Sequence, residues 1–423
     1  MKILIRHQAK IFPVLDIALN GANYLFNIYI AWHLAPSDFG IISALLSLLA
    51  LLLVTGVSLQ LYTAKQVAEE MGPDEQVPLV RVAQIRRSAI LLTAVVTAVY
   101  LLALIPLQGL TRGSYVSLLL VLVVFLLNAF LSVDRGVLQG TRRFIQLNMS
   151  FYIEVGVKIA VILWLIRIMP NMESVLIAII IGMAAALAHA RWATRPDPAE
   201  RPQDKVDRDR HDMSRIARIY IATFFIYFFT SVDLILVNYF LPDESGYFAV
   251  VLKYTQIMLF VTLSVMTVFI PLLSSAKSDP ALFKRRIIML LGIVFALIAS
   301  VTLVYWAVAG PTVDFFFGVQ YAPAKQYILL DCLPYALLIL NFLVINLHVI
   351  FDNSRYLYVL TGSAVLLVAM LVMFNSSLTT MLYIETAVFA VMLVAQLLLL
   401  RNEIRFMPPA QPLTDVQPAM EES

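Results

Sequence analysis

The sequence holds a single cysteine, few charges and no polar stretch long enough to build a domain of its own. Cys332 has no partner for an internal disulfide, so no disulfide framework exists and the redox compartment stays open. Charged residues make up 13% of the chain, about half of the ~25% usual in soluble domains. The longest polar segment, Thr194 to Ser214, is too short to bury a core. A soluble enzyme, a nucleic-acid binder and a sizeable extramembrane catalytic domain are therefore excluded. The templates of enzyme chemistry are missing as well. There is no G-x-x-x-x-G-K-[ST] phosphate loop and no G-x-S-x-G nucleophile turn. His7, His33, His189, His211 and His348 never take a spacing that would hold zinc. No enzyme, no resident cofactor and no metal site is expected.

What fills the chain is apolar. Hydrophobic residues are 61% of 423, or about 258, and the mean hydropathy is +0.87. A membrane-spanning helix needs about 20 such residues, so the chain has material for about twelve. Twelve runs are visible: 11–35, 39–62, 87–106, 114–134, 145–168, 172–192, 216–241, 246–274, 286–310, 325–351, 356–374 and 378–400. The fold class expected is an all-α integral membrane protein of about twelve helices. The first run carries Asp16 and three asparagines with no small-residue cleavage site, so a removable signal peptide is not expected. With the N-terminus placed in the cytoplasm, 25 of the 30 Lys and Arg fall on the cytoplasmic side. Three, Arg112, Arg167 and Lys325, fall outside, and Lys158 and Lys253 lie within spans. That bias puts both termini in the cytoplasm.

Residues 194–214 read as a cytoplasmic linker between two six-helix lobes, 1–193 and 215–401, and 402–423 as a disordered cytoplasmic tail. The lobes look duplicated. Pro36-Ser-Asp-Phe-Gly40 recurs as Pro242-Asp-Glu-Ser-Gly246, Arg86-Arg87 as Arg285-Arg286, and Tyr100…Pro106 as Tyr305…Pro311, at offsets of 206, 199 and 205. An even number of spans per copy gives both the same orientation, related by an axis along the membrane normal.

Polar groups inside spans are costly in lipid and by default face a cavity or a partner. Asp16, Asn20, Asn23 and Asn27 step by 4, 3 and 4, which places them on one helix face, either lining a wet cavity or hydrogen-bonding between helices. Glu154 and Lys158 lie one turn apart and are expected to pair, structurally or around an ion. Lys253 lies seven residues beyond Gly246, about 10 Å along its helix, and either snorkels or offers its charge to an anion. Asp233 falls at a comparable depth, where it would pair with Lys253. Glu385 is read as interfacial.

Three segments carry a resemblance. Tyr24…His33-Leu-Ala-Pro36-Ser-Asp-Phe-Gly40 resembles the opening of the polysaccharide-biosynthesis membrane proteins. Ser231-Val-Asp233…Pro242-Asp-Glu-Ser-Gly246-Tyr247, with Pro271 ending the next helix, resembles their second half, and Phe316-Phe-Gly318…Tyr321-Ala-Pro-Ala324 a short external loop. These are the Wzx-type flippases of the multidrug/oligosaccharidyl-lipid/polysaccharide (MOP) superfamily. The resemblance implies two lobes around a central cavity lined by spans 1, 2, 7 and 8, working by alternating access. It implies transport of undecaprenyl-pyrophosphate-linked oligosaccharide across the bacterial cytoplasmic (inner) membrane for O-antigen, capsule or exopolysaccharide. Membrane lipids, a polysaccharide polymerase and chain-length machinery would be partners, nucleic acid would not, and H+ or Na+ coupling is left open. On that reading Lys253 and Asp233 serve the pyrophosphate, and the Asp16–Asn27 face serves the sugar. The alternatives are a cation-coupled multidrug or metabolite exporter of the same fold, and a multispan glycan enzyme or membrane scaffold.

Overall fold

The computed structural model describes the backbone of residues 2–70, 79–195, 213–277, 279–351 and 354–405. Most of the expected 194–214 linker and the tail beyond Arg405 lie outside these residues. The described chain is helical throughout: α1 Lys2–His33, α2 Pro36–Glu70, α3 Leu79–Leu102, α4 Leu104–Thr111, α5 Tyr115–Gly140, α6 Phe144–Ile168, α7 Met172–Ala193, α8 Met213–Phe229, α9 Val232–Phe240, α10 Pro242–Ser275, α11 Pro280–Phe316, α12 Lys325–Ile350, α13 Tyr356–Met373 and α14 Leu378–Arg405. Each of the twelve apolar runs finds its helix, with α3/α4 and α8/α9 as broken spans. Among the described residues eleven helices are long and apolar enough to cross a membrane. Helix α1, whose first sixteen side chains lie outside the described set, adds one more long helix. The protein is a multi-pass, all-α membrane protein.

Local chemistry sets the helix ends. Pro36, Pro242 and Pro280 each open a helix, where the missing N–H costs nothing. Asp279 caps α11 by accepting from the N–H groups of Ala281 and Leu282, both at 3.0 Å. Ser114 and Asn171 cap α5 and α7 in the same way. Three expectations are corrected here. The fourth span runs to Gly140 rather than to 134. Pro271 sits inside α10 rather than ending it, and Pro311 inside α11 rather than opening a loop. The interval 311–324 between the ninth and tenth runs therefore holds the end of α11, Gly318 and a 3-10 turn at Val319–Ala324.

The chain divides into two compact units, residues 1–250 with 312–324, and residues 251–311 with 325–423. This division does not follow the two sequence halves. In the first unit α5 packs along α2, α6 and α7 pack together, and α7 packs on α5. Two glycines allow the α2–α5 approach: a Cβ on Gly136 would meet the Gln60 carbonyl at 2.8 Å, and one on Gly140 the Ala64 carbonyl at 2.7 Å. The two Pro-x-x-x-Gly segments meet within the same unit. A Cβ on Gly40 would fall 2.8 Å from the Gly246 nitrogen, and one on Gly246 would collide with the Pro36 carbonyl. Residues 312–324 close over this end, where Tyr321 and Gln320 donate to the Ala31 carbonyl at 3.2 and 3.1 Å. In the second unit α14 packs against α12 and α13.

Candidate functional site

The polar face of α1 is uneven. Asn20 is exposed, and Asn27 turns its amide back to the Asn23 carbonyl at 2.8 Å. The Asp16 side chain lies outside the described residues. Asn23 is the member that reaches another helix: its side-chain oxygen accepts from the Lys158 Nζ of α6 at 2.6 Å. Lys158 is buried at 9% exposure, and its ammonium stands 4.5 Å from the centre of the Phe26 ring. An amide oxygen and an aromatic face, three residues apart on α1, thus share one cation.

Glu154 was expected to pair with Lys158, and the structure corrects that. Its Oε2 accepts from Arg135 Nη2 at 2.7 Å, across from α6 to α5. Arg135 also donates through Nε to Ser150 Oγ at 3.0 Å, and its guanidinium lies 3.8 Å from the Phe151 ring centre. Its side chain is only 6% exposed. The reason is the length of α5, which continues past 134, where the apolar run was expected to end, with Val137 and Leu138 buried and Gly136 and Gly140 letting it stay against α2. Arg135, one of the 25 Lys and Arg counted on the cytoplasmic side, is thereby carried into the bundle. The pair read from spacing becomes two links, Arg135–Glu154 and Lys158–Asn23, one helical turn apart. Arg135, Glu154 and Lys158 sum to one positive charge, with Glu154 already taken. A net cation in a low-dielectric interior attracts an anion strongly.

A second charged group flanks the first. Asp134, 2% exposed, accepts from Arg86 of α3 at 2.7 Å through one oxygen. Its other oxygen faces Arg191 Nε of α7 at 3.5 Å. Asp134 escaped the sequence reading. The signal available was the Asp134-Arg135 dipeptide closing an otherwise apolar run.

Asp233 lies in the first turn of α9, 2% exposed, and its Oδ1 accepts the Leu234 N–H at 2.7 Å. On the same helix Asn238 donates to the Thr111 carbonyl at 2.8 Å, tying α9 to the end of α4. Lys253 is half-buried on α10 in the second unit, and within that unit it makes no hydrogen bond or ion pair among the described residues. The expected Asp233–Lys253 pair thus spans two units, each described by itself. Glu385, read as interfacial, is instead 1% exposed on α14. No group of three or more metal-ligating side chains occurs among the described residues.

Residues 12–277 match the family model described as "Polysaccharide biosynthesis protein". A comparison with curated proteins gave no significant match. Among solved structures, an inward-facing multidrug resistance MATE family transporter of the MOP superfamily aligns with TM-score 0.74 at 11% identity, over 92% of this chain and 96% of that one. The lipid II flippase MurJ, in an inward closed conformation, aligns with TM-score 0.68 at 12% identity, over 93% and 89%. An outward-facing MATE transporter aligns at 0.61 and 15%, over 92% and 94%. At these identities the likeness is one of fold.

Proposed function

Because this chain belongs to the polysaccharide biosynthesis protein family, matched over residues 12–277, we propose that it is a flippase for a lipid-linked glycan. The cargo is undecaprenyl-pyrophosphate-linked oligosaccharide, moved across the bacterial cytoplasmic membrane by alternating access. The observation that carries this reading is Lys158, a buried cation held by Asn23 on a polar helix face. A sugar chain cannot cross about 30 Å of hydrocarbon unaided, so it needs a polar path while its lipid tail stays in the bilayer. A diphosphate on that path needs cationic or N–H donors. The face of Asp16, Asn20, Asn23 and Asn27 serves the sugar. Lys253 serves the pyrophosphate. Lobes 1–193 and 215–401 rock about that path, with both termini and residues 194–214 in the cytoplasm, as the bias of Lys and Arg supports. The fold shared with MurJ and the MATE transporters is that of transporters, which supports a non-enzymatic role.

The test is reconstitution. Vesicles containing the purified protein and a fluorescent polyprenyl-pyrophosphate oligosaccharide should expose the glycan to an external glycosidase faster than protein-free vesicles. Movement of an organic cation without glycan exposure would replace this reading with the exporter. In cells, Lys253→Ala should abolish surface polysaccharide while the protein still inserts, and Lys253→Arg should retain part of it. Normal export by Lys253→Ala would remove Lys253 from the mechanism and leave the charge to Lys158.

A further inference from the structure

Lipid-facing arginines at a membrane boundary usually snorkel separately, yet Arg86 and Arg191 converge. They come from different helices onto the two oxygens of one buried carboxylate, Asp134, at 2.7 and 3.5 Å. The carboxylate is 2% exposed, whereas the arginine side chains are 50% and 59% exposed. Asp134 therefore holds two mutually repelling cations in place, and at least half of each arginine side chain stays exposed. The group sums to one positive charge. Next to Arg191 stands Trp192, 65% exposed, the residue type that settles at headgroup depth. Below Asp134, on the same face of α5, lie Phe130, Val123 and Leu119, exposed by 38%, 40% and 47%. At 100° per residue these four positions fall within about 60° of one another, and they span about 22 Å of helix. That covers the ~15 Å depth of one leaflet.

We propose that Arg86, Asp134 and Arg191 form the headgroup site of one anionic phospholipid, whose tail lies along the Leu119–Val123–Phe130 row of α5. A monoanionic phosphodiester brings the local charge to zero. Two guanidiniums present paired N–H donors to its oxygens, a geometry that ammonium groups do not reproduce. The inference is independent of the cargo proposed above.

Native mass spectrometry of the purified chain tests it, with phosphatidylglycerol and phosphatidylcholine as probes. The wild type should retain one phosphatidylglycerol per chain about tenfold better than phosphatidylcholine. Arg86→Gln combined with Arg191→Gln should erase that preference, and Arg401→Gln on α14 should keep it. If the double Gln variant does not fold, Arg86→Lys with Arg191→Lys decides, since it should cut the preference to about threefold. The proposal is overturned if the wild type shows no preference, or if the variant that folds keeps the full wild-type preference. It is equally overturned if undecaprenyl pyrophosphate alone binds in an arginine-dependent way, which would give the arginines to the cargo.

Discussion

The two compact units solve the problem of polarity inside a bilayer differently. In the first, buried contacts run between formal charges: Arg135 on Glu154, and Asp134 under Arg86 and Arg191, with Lys158 on Asn23 beside them. In the second, the described contacts use mostly amides, hydroxyls and ring nitrogens. Gln396 Nε2 donates to Asn341 Oδ1 at 3.0 Å, Asn341 Nδ2 to the Phe389 carbonyl at 2.9 Å, and Tyr305 to the Tyr254 carbonyl at 2.6 Å. Thr255 donates to the buried carboxylate of Asp331 at 2.8 Å. Neutral hydrogen bonds between helices fix packing at small cost, averaging about 0.6 kcal/mol each in a membrane. Charges cost far more to bury, and a pair that loses one member leaves a heavy penalty. A protein keeps such charges inside where something besides packing uses them. The first unit, together with Lys253 of the second, is thus the place to look for handling of an anion, and the neutral clasps of the second for its scaffold.

The comparison breaks most readily at Glu154. Replacing it by Leu strands Arg135 at 6% exposure, and the expected loss is about 3–5 kcal/mol. Size-exclusion profiles of the detergent-extracted protein should lose the monodisperse peak. Arg135→Met added to Glu154→Leu should restore it, because an apolar pair of similar volume carries no desolvation cost. A stable single variant would mean that this interior is wet, and the contrast between the units would fall.

Lys158→Met acts in the opposite direction on stability. It removes a buried cation whose direct contacts are an amide and an aromatic ring, while the nearby carboxylate of Glu154 is hydrogen-bonded to Arg135. Thermal unfolding should show a gain of about 1 kcal/mol or more, with glycan export lost. A stabilised protein that still exports would make Lys158 a packing residue.

Much of this arrangement was legible before any coordinates. The helices follow from runs of about 20 apolar residues, and the lobe-opening loops from Pro-x-x-x-Gly, whose glycines turn out to face one another across α2 and α10. The charge network was legible only in part. Periodicity places residues on a helix face, so Asn23 and Lys158 could be singled out. It is silent on which face meets which, so Glu154 was joined to its own-helix neighbour rather than to Arg135, 19 residues earlier. Charge also misled. Arg135 and Asp134 stand where an apolar run gives way to polar sequence, which normally marks a helix leaving the membrane. Here small residues at 136 and 140 hold the helix in its packing for another turn. Glu385 shows a related limit: its depth along the helix does not tell that its side chain is covered by neighbouring helices.

The mildest change sharpens the contrast from the other side. Gln396 and Asn341 are both fully buried, and their single amide bond joins α14 to α12. Asn341 keeps its donor bond to Phe389 without Gln396, and the backbone carbonyl of Gln396 keeps its contact with His348 at 3.2 Å. Gln396→Leu therefore removes one neutral hydrogen bond and replaces its volume with hydrocarbon. The expected loss is about 0.6 kcal/mol, with about 1.7 as the upper bound for such bonds in a bilayer. A double-mutant cycle with Asn341→Leu, read by thermal unfolding, isolates the pair. A coupling near the lower figure, with export intact, fits a clasp that only packs helices. A coupling as large as that of Arg135 with Glu154, or loss of export without loss of fold, would give the neutral clasps a part in transport and end their division of labour with the charged groups.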